Sequence, residues 1–265
     1  MKLGIVGNGV VGKALSQCLS ANPLYTVVIY DKFHEPFNGF DRRLEINSCD
    51  LVFLCVPTPS RTDGSCDTSA VEECVDWITA PMCVKSTVIP GTVERLSARN
   101  KEIAFWPEYI GQETEHPWKE ISSCGFAIVG GPPTLCRLVV TILRSCLPPE
   151  THIHVTNSRT AELCKYMENC FLATKVAFVN QFFEIARLMD IDFQELRELW
   201  LTDPRIGRSH TCVTEERGFG GACLPKDLDA LIAAMAPLGR ASLLEAVAAY
   251  NRTIKGKLAA SASSL

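Results

Sequence analysis

Residues 2–12 read KLGIVGNGVVG. A short apolar run breaks into glycines and re-emerges, from about Val10 to Ala21, as an amphipathic helix pattern. A strand that turns at once into a helix constrains the fold more than any other feature of the chain. Gly7-Asn8-Gly9-Val10-Val11-Gly12 has glycine at each place where such a turn could hold a dinucleotide. The first glycine permits the tight turn, the second admits a pyrophosphate to the backbone, and the third packs helix on strand. The free N–H groups of the helix start would then face the phosphates. The same glycines would also serve a bare strand–helix turn. Asp31, about twenty residues on, favours the ligand reading. A carboxylate there can bind both ribose hydroxyls and would repel a 2′-phosphate, so NAD is expected rather than NADP. Lys32 beside it works slightly against that preference.

Further apolar runs repeat the strand signal. They are TVVIYD at 26–31, DLVFLCVP at 50–57, CVKSTV at 83–88, IAFWPE at 103–108 and FAIVGG at 126–131. Helical stretches such as SAVEECVDWIT and VERLSARN lie between several of them. This alternation predicts a Rossmann-like, doubly wound α/β domain with a parallel sheet over residues 1–156. The pattern then changes. Residues 158–189 contain no glycine or proline, and Leu163, Met167, Cys170, Phe171, Val176, Val179, Phe182 and Phe183 recur at helical spacing. One very long helix is expected there, apolar over much of its circumference, as in a domain core or subunit interface. DFQELRELWLT and residues 227–250 read as further helices, which makes residues 157–258 an all-helical domain. Residues 259–265 read as a disordered tail.

Composition narrows the function. A net charge of −4 without a basic stripe argues against nucleic acid as a partner. The N-terminal apolar run is too short and too interrupted for a signal peptide or a membrane span, and no other stretch reaches spanning length. Thirteen cysteines are scattered, odd in number and without a C-x-x-C pair. That predicts reduced thiols in a cytoplasmic chain, most of them small core residues. No metal site is expected. His152 and His154 in THIHV alternate as on one face of a strand.

Several motifs follow one another in order. They are CVPTP at 55–59 with DGSCD at 63–67, KSTVIPGT at 85–92 and PEY at 107–109. Then come AELCKYMENCFLATKVAFVNQ at 161–181, DPRIG at 203–207 and GFGGACLPKD at 218–227. In that order the chain resembles the UDP-glucose/GDP-mannose dehydrogenase family, over nearly its whole length. The resemblance implies oxidation of a nucleotide sugar's primary alcohol to a carboxylate by two NAD molecules in turn. It also implies a dimer, here expected through the long helix.

Such an oxidation needs a group that holds the intermediate aldehyde and offers up a second hydride. A thiolate does so through a thiohemiacetal and then a thioester. The resemblance makes Cys223 that nucleophile, Lys226 a cofactor contact and Asp227 a carboxylate that orients water. Read alone, Cys223 would as readily be a buried structural thiol. Lys165 and Asn169 share a helix face. An ammonium beside a carboxamide suits a developing alkoxide, although a solvent-facing Lys and a helix–helix hydrogen bond would explain them too. The family match favours catalysis. By the same resemblance Glu108, expected at the end of the fifth strand, activates water, and Thr87, at the end of the fourth, holds that water or the cofactor. An ordinary hydroxyl turn would account for Thr87 almost as well. Pro57 and Thr58 join the cofactor contacts. Tyr109, Phe219 and Gly220 join the sugar contacts, and Arg205 reaches the sugar bound to the neighbouring subunit. Lys175, further along the helix, reads as surface or interface.

The chain also departs from the family pattern. Trp106 stands where Asn usually precedes Pro-Glu, Gln112 and then Glu113 where a second Glu is common, and Leu224 where Phe often follows the cysteine. The third domain, which in the family holds the substrate's nucleotide, is not expected within these 265 residues. Two other readings therefore remain: a two-domain β-hydroxyacid dehydrogenase, which transfers one hydride and needs no thiol, and a non-catalytic NAD-binding scaffold.

Overall fold

The computed structural model describes residues 1–111 and 119–262, with side chains described to residue 256. Gln112 and Glu113 lie outside the described residues. The chain divides into two compact units, Met1–Pro59 with Asp67–Lys165, and Ser60–Cys66 with Tyr166–Leu265.

In the first unit the elements run β1 (Lys2–Val6), α1 (Val10–Ser20), β2 (Thr26–Tyr30), α2 (Phe40–Asn47), β3 (Leu51–Leu54) and α3 (Ser69–Trp77). They continue as β4 (Met82–Val84), α4 (Thr92–Ser97), β5 (Ile103–Phe105), β6 (Phe126–Gly130), α5 (Pro133–Cys146) and β7 (His152–Thr156). The sheet order is β2-β1-β3-β4-β5-β6-β7. Every pairing is parallel except β5 with β6, which meet antiparallel at Phe105 and Gly130. The doubly wound expectation holds, with this one reversal that the strand pattern did not signal. An antiparallel neighbour needs no crossover helix, and apolar runs alone do not encode strand direction. His152 and His154 are both exposed on the edge strand β7.

Two cores cover the two faces of the sheet. Along β3, Leu51 and Phe53 face one core while Val52 and Leu54 face the other. That alternation is the two-residue period of a strand buried on both sides. Leu15 and Leu19 of α1 and Val139, Ile142 and Leu143 of α5 close the first face. Val71 and Val75 of α3 and Val93 and Leu96 of α4 close the second. Each such side chain stabilises the unit by roughly 1.5–3 kcal/mol when fully buried.

In the second unit the elements are most of α6 (Ser158–Leu188), α7 (Phe193–Trp200), α8 (Leu224–Met235) and α9 (Ser242–Ala262). At 31 residues α6 is the long helix that the absence of glycine and proline predicts. Asp192 starts α7 by accepting N–H bonds from Gln194 and Glu195. The 227–250 segment is two helices, parted at Gly239 with φ +60°. Helix α9 runs on to Ala262, so residues 259–262 of the expected tail are helical. Three of those four residues are alanine, the strongest helix former.

Candidate active site

The order β2-β1-β3 places a topological switch point between β1 and β3, where ligands of such sheets bind beyond the strand ends. The glycine loop leaves β1 at this point. Gly7 has φ +97°, and a Cβ there would lie 2.6 Å from the Cys55 carbonyl oxygen. A Cβ on Gly12 would lie 1.9 Å from the Gly7 oxygen, so only glycine lets α1 start so close to the loop. Gly9 faces open space, and no side chain caps α1. Its first-turn N–H groups are thus left for an anion, beside exposed Val10 and half-buried Asn8 and Val11.

Asp31 follows β2 directly and is buried. Its carboxylate accepts the Asn8 N–H at 2.7 Å and the Phe33 N–H at 2.9 Å, with His34 Nδ1 at 2.8 Å. Burial opposes ionisation, but these donors outweigh it and hold the carboxyl below its ordinary range. Lys32 is paired with Glu73 at 2.9 Å, which cancels the charge that would have drawn a 2′-phosphate. These residues fit NAD.

The loops after β3 and β4 meet where the Thr58 hydroxyl donates to the Thr87 carbonyl at 2.8 Å, next to exposed Pro57. The strands are shorter than the sequence suggests. β4 stops at Val84 and β5 at Phe105, so Thr87 and Glu108 each lie three residues beyond a strand, in loops. Glu108 is nevertheless tightly held. Its Oε1 accepts the N–H groups of Tyr109 and Ile110, both at 2.7 Å. Its Oε2 lies 2.9 Å from Lys85 Nζ as an ion pair. That contact is off the hydrogen-bonding direction, and Oε2 has no aligned donor among the described residues. Burial pushes the Glu108 pKa up, but Lys85 and the two N–H groups bring it below its usual value. Lys165 Nζ sits 4.4 Å from the ring centre of buried Tyr109.

In the second unit Cys223 is the N-cap residue of α8 and is exposed. A helix start favours thiolate there. One turn on, Asp227 is 1% exposed and accepts a 2.5 Å bond from Asn169 Nδ2 of α6. Lys226 pairs with Asp227, so the charge expected to meet the cofactor is engaged with a carboxylate. Arg205 is 86% exposed and is held by Asp203 in its own loop.

The loop before Cys223 is anchored from two helices. Gly218 (φ +62°) donates to Asn180 Oδ1 at 3.2 Å, and Arg217 donates to Asn180 and to Glu184 of α6. Asn251 of α9 grips buried Phe219 through both its N–H, at 2.8 Å, and its C=O, at 3.0 Å. Gly220 carries no side chain between this grip and the thiol, and a Cβ there would lie 3.1 Å from Lys255 Nζ. Lys175 donates to the carbonyls of Ile206 and Gly207 at 2.9 and 2.7 Å. It fixes the loop that carries Arg205 and is no idle surface lysine. Lys85, Lys175, Asn180 and Asn251 were all missed. Lys85, Lys175 and Asn180 sit inside quoted motifs and Asn251 lies outside them, and each partner is far away in sequence.

Among the described residues no helix is long and apolar enough to cross a membrane. A UDP-glucose 6-dehydrogenase of Pseudomonas aeruginosa is 32% identical over 226 residues, covering 76% of this chain and 48% of that protein. One from Haloferax volcanii is 28% identical over 306 residues, covering 95% of this chain and 69% of that protein. The solved structure of a UDP-glucose dehydrogenase from Pyrobaculum islandicum superposes with a TM-score of 0.83 at 25% identity, covering 95% of this chain and 68% of that one. Residues 37–111 match the family's NAD binding domain, which with the loop geometry makes NAD the cofactor. Residues 159–253 match the central domain of that same family. With two of its domains matched in order along the sequence, the chain belongs to the UDP-glucose/GDP-mannose dehydrogenase family.

Proposed function

We propose that the chain oxidises the primary alcohol of a nucleotide sugar of the UDP-glucose type to a uronic acid, through a thioester on Cys223. The observation that carries this is in the second unit. Cys223, exposed, stands at the N-cap position of α8, and one turn on a buried carboxylate is bound by the carboxamide of Asn169.

NAD, which the Gly7–Gly12 loop and Asp31 would hold, would supply the hydride acceptor for each of the two oxidations. The hydroxyl proton leaves to a water oriented by Asp227. Lys165 and Asn169 stabilise the alkoxide and, later, the oxyanion. The Cys223 thiolate adds to the aldehyde carbon. A C–S bond forms, and the carbonyl π pair becomes a lone pair on oxygen. Loss of the second hydride leaves the thioester. Glu108 then takes a proton from water as the water oxygen attacks the thioester carbon. The C–S bond breaks, and thiolate and acid separate. Thr87, Thr58, Pro57 and Lys226 serve the cofactor, while Tyr109, Phe219 and Gly220 serve the sugar.

A second copy of this chain covers α6 in this reading. Met167 and Phe171 are 71% and 62% exposed, and Phe178 and Phe182 continue the same apolar stripe. Arg205 then serves the partner's sugar. The thiol-rich composition favours the cytoplasm, where this synthesis feeds polysaccharide formation.

The test is NADH production with UDP-glucose and a panel of nucleotide sugars. Two NADH per acid is expected, and Cys223→Ala is expected to lower acid formation by at least about a thousandfold. Acid at the wild-type rate from that variant sinks the thioester route. One NADH per substrate means a β-hydroxyacid dehydrogenase instead. A thermal shift with NAD but no turnover on any sugar means a scaffold.

A further inference from the structure

Lys85 is 1% exposed, a rare placement for an ammonium. Three contacts hold it in the first unit. Its Nζ lies 3.4 Å from the centre of the Trp106 ring and 2.9 Å from Glu108 Oε2, and it donates to the Pro107 carbonyl at 3.5 Å. The ring is itself fixed. Trp106 is buried, its ring meets Phe53 edge-to-face at 6.1 Å, and its backbone N–H donates to the Val84 carbonyl at 2.9 Å. The backbone N–H of Lys85 bonds the Leu54 carbonyl at 2.9 Å. Indole, ammonium and carboxylate therefore form a stack whose two ends are tied to strands β3, β4 and β5.

We propose that Lys85 and Trp106 are positioning residues for Glu108: the indole face seats the ammonium, and the ammonium holds the carboxylate as an oriented anion. The inference deepens the proposed oxidation, because it takes from that reading the role of Glu108 as base. Without Lys85 the carboxylate would face burial with only two neutral N–H donors on its other oxygen. A π face is an apolar surface that still attracts a cation, which suits a buried ammonium.

The thiols near the stack stay protonated through the neutral range. Cys55, just after β3, and Cys18, on α1, have thiols that burial pushes up to about 12 and about 11. Burial raises the Cys83 thiol on β4 as well. Glu120 acts on Cys18, and Lys165 sits over Tyr109.

The experiment is an NMR titration of the full chain labelled with ¹³C at the glutamate carboxyls. The Glu108 signal is assigned by its loss in Glu108→Gln. In Lys85→Met the Glu108 midpoint is expected to rise by about 1–3 pH units, the usual effect of removing an adjacent opposite charge. Lys85→Arg is expected to restore it in large part. Trp106→Leu is expected to give a smaller rise, and Trp106→Phe a smaller one still, so the test survives if one variant fails to fold. An unchanged midpoint in Lys85→Met overturns the proposal. An unchanged midpoint in Trp106→Leu removes Trp106 from it. In the kinetics, the acid limb of kcat/KM is expected to move to higher pH with the same ranking, while KM for NAD stays put. If no nucleotide sugar yields NADH with the unmutated chain, the proposed oxidation fails, and the titration still decides the roles of Lys85 and Trp106.

Discussion

Two buried carboxylates of the first unit make an instructive pair. Glu108 accepts two backbone N–H groups, both at 2.7 Å. Glu162, near the start of α6, also accepts two, from Gly91 at 2.6 Å and Val93 at 2.9 Å, at the amino end of α4. Burial pushes both pKa values up. At Glu162 it wins and carries the group to about 7, despite the two N–H bonds. At Glu108 the same penalty is overcome, and the pKa falls below its usual value. The main difference between them is Lys85, with Glu94 adding a like charge beside Glu162. A full charge at 2.9 Å together with two N–H donors outweighs the cost of leaving water, and the neutral donors at Glu162 do not. One carboxylate is thus built to stay an anion and the other to hold a proton.

The comparison breaks most readily at Lys85. Lys85→Met is expected to cost about 3–5 kcal/mol of stability at neutral pH, because it strands a buried charge. The cost should shrink as acid protonates Glu108. Urea unfolding across pH reads this, and a penalty that does not vary with pH would assign Lys85 to packing alone. Next in size is Glu162. Its folded pKa lies above the ordinary 4.5, so the folded state keeps a proton that the unfolded chain has released. The stabilisation is full below pH 4.5 and is lost as pH rises to about 7, on the order of 3 kcal/mol in all. Glu162→Gln should flatten that decline in the same unfolding series. An identical decline in the variant would show that the group carries no proton. The smallest effect concerns Glu94, which raises the Glu162 pKa and is itself paired with Arg159. Because Glu94 is largely solvated, Glu94→Gln should lower the Glu162 midpoint by only about a few tenths of a pH unit. A rise would mean that Arg159, rather than Glu94, governs the site.

The strands and the glycine loop were legible because their signals are local. Period-two burial and the Gly7–Gly12 spacing need no knowledge of what lies across the fold. Strand ends were read too late, since CVKSTV continues past Val84 to β-branched Thr87 and Val88, and IAFWPE continues past Phe105 with Trp106. The motif around Glu108 was visible, but its ionic partner was not. Lys85 and Glu108 are 23 residues apart on neighbouring strand exits, and only the β4–β5 register brings them together. The grip of Asn251 on Phe219 is equally hidden, because an asparagine 32 residues away carries no mark of its target. Polar partners chosen over long range are the part of a site that sequence pattern conveys least.

The placement of the cysteines has a further consequence for the proposed oxidation, which passes through a carbonyl electrophile. Of thirteen thiols, only Cys212 and Cys223 are exposed. Burial pushes Cys55, Cys74 and Cys170 up to about 12, which at neutral pH leaves roughly one thiolate in 10⁵. An aldehyde released at the wrong moment meets an interior that is sulfur-rich yet chemically insulated. The same packing that fills the core with small side chains keeps those sulfurs from becoming traps.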